Sequence, residues 1–153
     1  MRPSFIRNLT EIVAQGYEKK ADGIGISSRD IGAAVGTERL GVDVTTIRPG
    51  KKVSRLHHHK HKEEFFYVLE GRCRLRVGME VVELAPGDAV SRTAGTGVAH
   101  QFFNPFPKPC EVLMIGVMNG KGVADECVYP ENRLAVRTSA QGKRKLVKLK
   151  GRA

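Results

Sequence analysis

At 153 residues the chain is long enough to bury a core without staples and most simply forms one domain. Lysine and arginine outnumber aspartate and glutamate by 26 to 16, giving a formal charge of +10, which attracts anions without choosing among nucleic acid, acidic lipid and phosphorylated or carboxylated metabolites. No apolar run reaches membrane-helix length, MRPSFIRNLTEIV has no secretory h-region, and three cysteines without a CxxC argue against a disulfide framework or zinc ribbon, so the expectation is no membrane partner and a cytoplasmic location.

Residues 1–38 carry few strand signals and read as an N-terminal arm, with Asn8 or Thr10 capping a short helix. The glycine-rich stretch from Asp22 to Gly36 lacks the GxGxxG-to-helix or GKS/T features of a phosphate loop. Leu40 to Ile47 is the first clear strand, with Leu40, Val42 and Val44 alternating with Gly41, Asp43 and Thr45, and Arg48-Pro49-Gly50 turns it. There follows RLHHHKHKEEFFYVLEG, which holds four of the five histidines. Alternate side chains of an extended chain share a face, so His57 and His59 point one way and His58 the other. Glu64 opens the strand EFFYVL and shares its face with Phe66 and Val68. A carboxylate turned toward a core costs several kcal/mol unless a cation or donor meets it. Two imidazoles and one carboxylate converging on a point make a metal site, and His100 in VAHQFFN could supply a third imidazole. His61 and Glu63 read as solvent-facing.

After Gly71, RCRLRV puts Cys73, Leu75 and Val77 inward and Arg72, Arg74 and Arg76 outward, a solvated or edge-protecting charge row. Gly78-Met79 and Pro86-Gly87-Asp88 are turns, Ala89 to Arg92 a short strand, and Thr93 to Gly97 a loop. Val98 to Phe103 carries His100 and Phe102 on one face; Asn104 caps the turn into Pro105, and Cys110 to Met118 is a long closing strand. Cys73 and Cys110 fit small buried hydrophobes. Beyond residue 119, Val128-Tyr129 and Leu134 to Val136 read as a further strand or a wrap around a neighbouring subunit. From Gln141 the chain carries Lys143, Arg144, Lys145, Lys148, Lys150 and Arg152 and no acid, a solvated tail or edge strand that could alternatively touch nucleic acid, although no aromatic side chain is interleaved. The expected division is an arm at 1–38, a barrel at 39–118 and an extension at 119–153 packing on the barrel and ending in a basic tail. Short strands between turn residues make the fold class all-β.

The run His57-x-His59-x4-Glu64-x6-Gly71 resembles the first motif of the cupin superfamily, and Pro86-Gly87-Asp88 with Gly97-x2-His100-x3-Asn104 resembles the second. Gly95 stands where the family usually has proline. The resemblance implies a double-stranded β-helix, or jelly-roll barrel. It also implies one divalent transition metal (iron, manganese, nickel, zinc or copper) on His57, His59, Glu64 and His100, with Gly71, Gly87 and Asn104 as structural positions. Tyr67 and Gln101 are nearby candidates for orienting the imidazoles. The superfamily suggests a homodimer and a metalloenzyme of dioxygenase, decarboxylase or sugar-phosphate isomerase type acting on a small-molecule ligand. A non-catalytic binding module, or an interaction protein working through the basic tail, are the alternatives.

Overall fold

The computed structural model describes residues 3–118 and 121–150, and among these residues there are thirteen strands and one short α-helix. In chain order they are β1 (Gln15–Lys19), β2 (Ile24–Asp30), α1 (Ile31–Val35), β3 (Leu40–Ile47), β4 (His58–His59), β5 (Glu64–Glu70) and β6 (Cys73–Val77). Then come β7 (Glu80–Leu84), β8 (Ala89–Arg92), β9 (His100–Phe103), β10 (Cys110–Val117), β11 (Asp125–Tyr129), β12 (Leu134–Thr138) and β13 (Arg144–Lys148). A large sheet runs β1-β2-β3-β10-β5-β8, a smaller one β7-β6-β9, and a third β13-β12-β11-β4. The first two close on one core: Ile47, Phe66, Val68, Cys110 and Val112 from the large sheet meet Cys73, Leu75, Leu84 and Phe102 from the smaller one. Burying such side chains is worth roughly 1.5–3 kcal/mol each for the larger ones, which is what holds two antiparallel sheets face to face in a jelly roll.

Residues 1–38 are not a strand-poor arm. The 3-10 turn Leu9–Glu11 is capped by Asn8 as expected, but Gln15–Lys19 and Ile24–Asp30 form a hairpin that extends the large sheet through β3. Met1 and Arg2 lie outside the described residues, as do Asn119 and Gly120 at the start of the extension and Arg152 of the basic tail. The extension is a three-stranded meander, β11-β12-β13, joined to the barrel through β4. The basic tail is therefore an edge strand, where exposed Lys145 and Lys148 discourage further pairing. The arginine row of β6 is not at an edge, since β6 lies between β7 and β9. Arg72 pairs with Glu83 across the hairpin at 2.8 Å, and Arg76 reaches Glu131 at 2.8 Å, tying the small sheet to the extension.

The alternation in β3 is real, but the barrel interior takes the face of Asp43, Thr45 and Ile47, because these residues lie opposite Met114, Val112 and Cys110 of β10. Val42 and Val44 occupy the other face, across which α1 packs. Two of the motif positions have clear structural reasons. Gly71 has φ +72°, and a Cβ there would lie 2.2 Å from the Pro109 carbonyl oxygen, so only glycine fits. The buried Asn104 amide donates to the carbonyls of Ile47 (3.0 Å) and Lys108 (2.8 Å), while its oxygen accepts from Phe106 N (2.9 Å), fixing the proline-rich turn.

Candidate metal centre

Backbone pairing brings the two histidine segments together. His57 N donates to His100 O (3.1 Å) and His100 N to His57 O (2.7 Å), an antiparallel bridge that places both side chains on one face. Their ring centroids are 4.6 Å apart. His59 enters from β4, which is held by Cys127 and Val128 of β11. Glu64 starts β5 on the interior side, in line with buried Phe66 and Val68. His59 Nε2 lies 3.5 Å from Glu64 Oε1, and His100 Nε2 lies 3.3 Å from Glu64 Oε2. Donor atoms of His57, Glu64 and His100 all fall within 4.8 Å of one another. The four residues that the sequence pattern singles out are thus gathered in one place.

Two of the imidazoles are held in a single orientation. His57 Nδ1 is 2.8 Å from the Arg55 carbonyl, an acceptor, so this nitrogen carries the proton and Nε2 keeps its lone pair. Ser54 Oγ, 3.2 Å away, adds a second contact to the same nitrogen. His59 Nδ1 donates to Asp125 Oδ2 at 2.5 Å, and Asp125 Oδ1 accepts from His61 N at 3.0 Å. Carboxylate–histidine pairs of this kind fix tautomer and ring angle and raise the basicity of the remaining nitrogen. Burial alone would raise the Asp125 carboxyl, but its bonds to His59 and the His61 amide outweigh this and hold it at about 2.

The charges are arranged for a cation. Burial would raise Glu64, yet His100, His59 and the Lys62 ammonium together hold it at about 2, so it is ionised at neutral pH. Its Oε2 is enclosed and has no hydrogen bond among the described residues, despite its closeness to His100. Burial depresses His57 to about 4, with the neighbouring His100 adding to the shift, so this imidazole is neutral. Imidazoles around an ionised carboxylate with an unsatisfied buried oxygen are a donor set suited to a divalent transition metal. A space of about 10 Å³ beside His59, Glu64 and His100 is on the scale of one water or ion. Surface clefts of about 440 and 270 Å³ are lined by other residues, in one case His61, Arg137 and Lys143, and among the described residues no such donor set converges in them.

His58, Lys62, Arg92, Thr93 and Val98 complete the walls of this small cleft. His58 was expected on the face opposite His59. It lies opposite Val128 of β11 while His59 lies opposite Cys127, which keeps the alternation, and it also borders the small cleft. The His58 Nδ1 atom is enclosed without a partner, and burial followed by the neighbouring His59 and Lys60 lowers its pKa. Arg92 stands opposite Glu64 on β8 and donates through Nη2 to Val98 O (3.1 Å), while its Nε is buried without a partner. Lys62 lies across Gly116 with Nζ 3.4 Å from Glu64 Oε1. His61 and Glu63 are exposed, as the period requires.

Tyr67 does not orient the imidazoles: it sits on the outer face of β5, exposed, one residue out of phase with Phe66 and Val68. Gln101 acts one step away, its Nε2 donating to Ser54 O (2.8 Å) and so bracing the segment that touches His57. Asp125, Arg92 and Cys127 are the residues that sequence reasoning missed. For Arg92 a signal existed, since it ends a strand whose alternation with Val90 points it inward. Asp125 lies 66 residues from His59 and carried no pattern of its own.

The profile of the Cupin domain family matches residues 43–116. No curated protein matches the chain. Among solved structures, a candidate sugar phosphate isomerase from Acidithiobacillus ferrooxidans superposes with a TM-score of 0.85 at 25% identity, over 95% of this chain and 92% of its own. A protein from Silicibacter pomeroyi, described as a sugar phosphate isomerase from a cupin superfamily, gives 0.82 at 27% identity over 92% and 90% of the two chains. A predicted oxalate decarboxylase from Thermotoga maritima shares the fold alone, with a TM-score of 0.62 at 18% identity over 74% and 98% of the chains. Two motifs in order, a two-sheet jelly roll with converging histidines, and the profile and structural matches together place this chain in the cupin superfamily.

Proposed function

We propose that the protein is a metal-dependent cupin enzyme that holds one divalent transition metal on His57, His59, Glu64 and His100 and acts on a small anionic, oxygenated metabolite of the sugar phosphate kind. The observation that carries the metal is the convergence of these donors around the unsatisfied Glu64 oxygen. Two whole-length relatives described as sugar phosphate isomerases, one of them a candidate, support the substrate class. The cleft mouth supports it too, because Lys62 and Arg92 are both cationic and Arg92 Nε has no partner. When bound, the ion supplies Lewis acidity to a substrate oxygen. Arg92 and Lys62 receive the anionic group and fix its distance from the centre. Isomerisation of such a substrate needs a base, and His58, whose pKa is lowered by burial with His59 and Lys60 adding to the shift, borders the same cleft.

Metal analysis of protein purified without a tag or added metal tests the first part. Near one equivalent in the wild type, and loss in His57→Ala, are expected. No metal even after soaking overturns the reading and leaves a non-catalytic binding module. For the second part, Arg92→Met should raise KM for a sugar phosphate about tenfold or more while metal content is unchanged, on the scale of one charge-assisted hydrogen bond. An unchanged KM removes Arg92 from substrate binding.

A further inference from the structure

Cys127 stands apart from the other two cysteines. Cys73 and Cys110 are fully buried in the barrel core, whereas Cys127 lies on β11 directly opposite His59 of β4. Its Sγ and ring nitrogens of His57 and His59 all fall within 4.8 Å of one another. His57 belongs to this triplet and also to the His57–Glu64–His100 triplet. Because the Nδ1 atoms of His57 and His59 are committed to Arg55 O and Asp125, it is Nε2 in both rings that remains to bind. His57 is thus shared between a set completed by the oxygen of Glu64 and the nitrogen of His100 and a set completed by the nitrogen of His59 and the sulfur of Cys127.

We infer that Cys127 is a ligand of this centre for soft and borderline ions such as zinc, cadmium, copper(I) and cobalt(II), through a His57–His59–Cys127 set. The reading rests on the metal centre proposed above and goes beyond it by assigning the ion class that the site prefers. Thiolate sulfur favours soft ions, while carboxylate oxygen favours hard ones such as manganese and magnesium. In the binding step the Sγ–H bond breaks as the metal–sulfur bond forms, and the proton leaves to solvent. No redox partner is needed. β11 and β4 hold the backbones of Cys127 and His59 directly opposite each other.

Cobalt(II) titration of the metal-free full-length protein tests this directly, because ligand-field bands in the visible report that cobalt has bound and a thiolate-to-cobalt charge-transfer band in the near ultraviolet reports sulfur. Wild type should show both. Cys127→Ser should keep the visible bands and lose the near-ultraviolet band, and competition between cadmium and manganese should shift about tenfold or more toward manganese. Visible bands without the charge-transfer band in the wild type, or identical spectra for wild type and Cys127→Ser, overturn the role of Cys127 while leaving the metal centre standing. No cobalt spectrum at all, with no rise in melting temperature, overturns both. Retained visible bands show that Cys127→Ser is folded, and Cys127→Ala provides a second variant with the same expected loss.

Discussion

Asp125 shows how a single carboxylate can govern a site to which it contributes no ligand. One of its oxygens bonds His59 and the other bonds the backbone of His61, so it fixes both the ring and the chain that carries it. Asp125→Asn removes the negative charge at nearly constant volume, and affinity for manganese or zinc should fall by about 10–100-fold, read by calorimetric titration. His61→Ala, which leaves the backbone amide in place, should change it little. Equal affinities for wild type and Asp125→Asn would mean that His59 needs no brace. The buried imidazole of His57 makes a separate prediction about acid stability. Its pKa in the folded, metal-free protein is about 4, below the unfolded value of 6.5, so between these limits the unfolded chain binds more protons than the folded one. The stability this neutral imidazole contributes is complete above pH 6.5 and is lost as pH falls toward 4, by at most about 3 kcal/mol. Glu64 and Asp125, both held near 2, add a second loss below about pH 4.5. Urea unfolding with a chelator present, at steps from pH 7 to 4, should give a slope that flattens in His57→Gln; a slope unchanged by that substitution would refute the assignment.

At the level of strands and turns, the clearest requirement is the join between β5 and β6. Gly71→Ala forces a Cβ against the Pro109 carbonyl at a positive φ, and a cost on the order of 2–4 kcal/mol is expected by denaturant unfolding, with no change in the metal donors themselves. A loss under about 0.5 kcal/mol would show that the β10 end can move aside. This turn was legible from the sequence, and so were β5, β6 and β9, because period-two patterning and turn residues agree there. His57, His59, Glu64 and His100 were legible for the same reason: a strand period and a motif spacing pointed at one face. The N-terminal hairpin was not. All five residues of β1 are exposed, so no apolar alternation marks them, and β2 spells IGISSRD, whose later alternate positions, Ser28 and the exposed Asp30, are polar. Those positions meet Thr45 and Asp43 of β3, with Ser28 Oγ within hydrogen-bond distance of both side chains. A polar seam inside a sheet carries no hydrophobic signature.

For the molecule as a whole, the outer face of the large sheet presents Phe65, Tyr67 and Leu69 on β5, all exposed. We expect a second copy of the chain to cover this face, giving a homodimer in solution. Light scattering should return twice the mass of 16.8 kDa for wild type and a shift toward the single mass in Phe65→Asp with Tyr67→Asp. A wild type that stays at the single mass at all concentrations would overturn this. The dependence of His59 on Asp125 also bears on how large the working unit is. The segment that matches the family profile, 43–116, contains all four proposed donors yet stops short of Asp125 and Cys127. A protein trimmed to that segment would hold the right letters in the right order but lack the strand that tunes them. Gene fusions, deletions or engineered minimal versions that end at residue 116 should therefore be expected to bind metal loosely and without discrimination, and the meander after it is better regarded as part of the site than as its appendage.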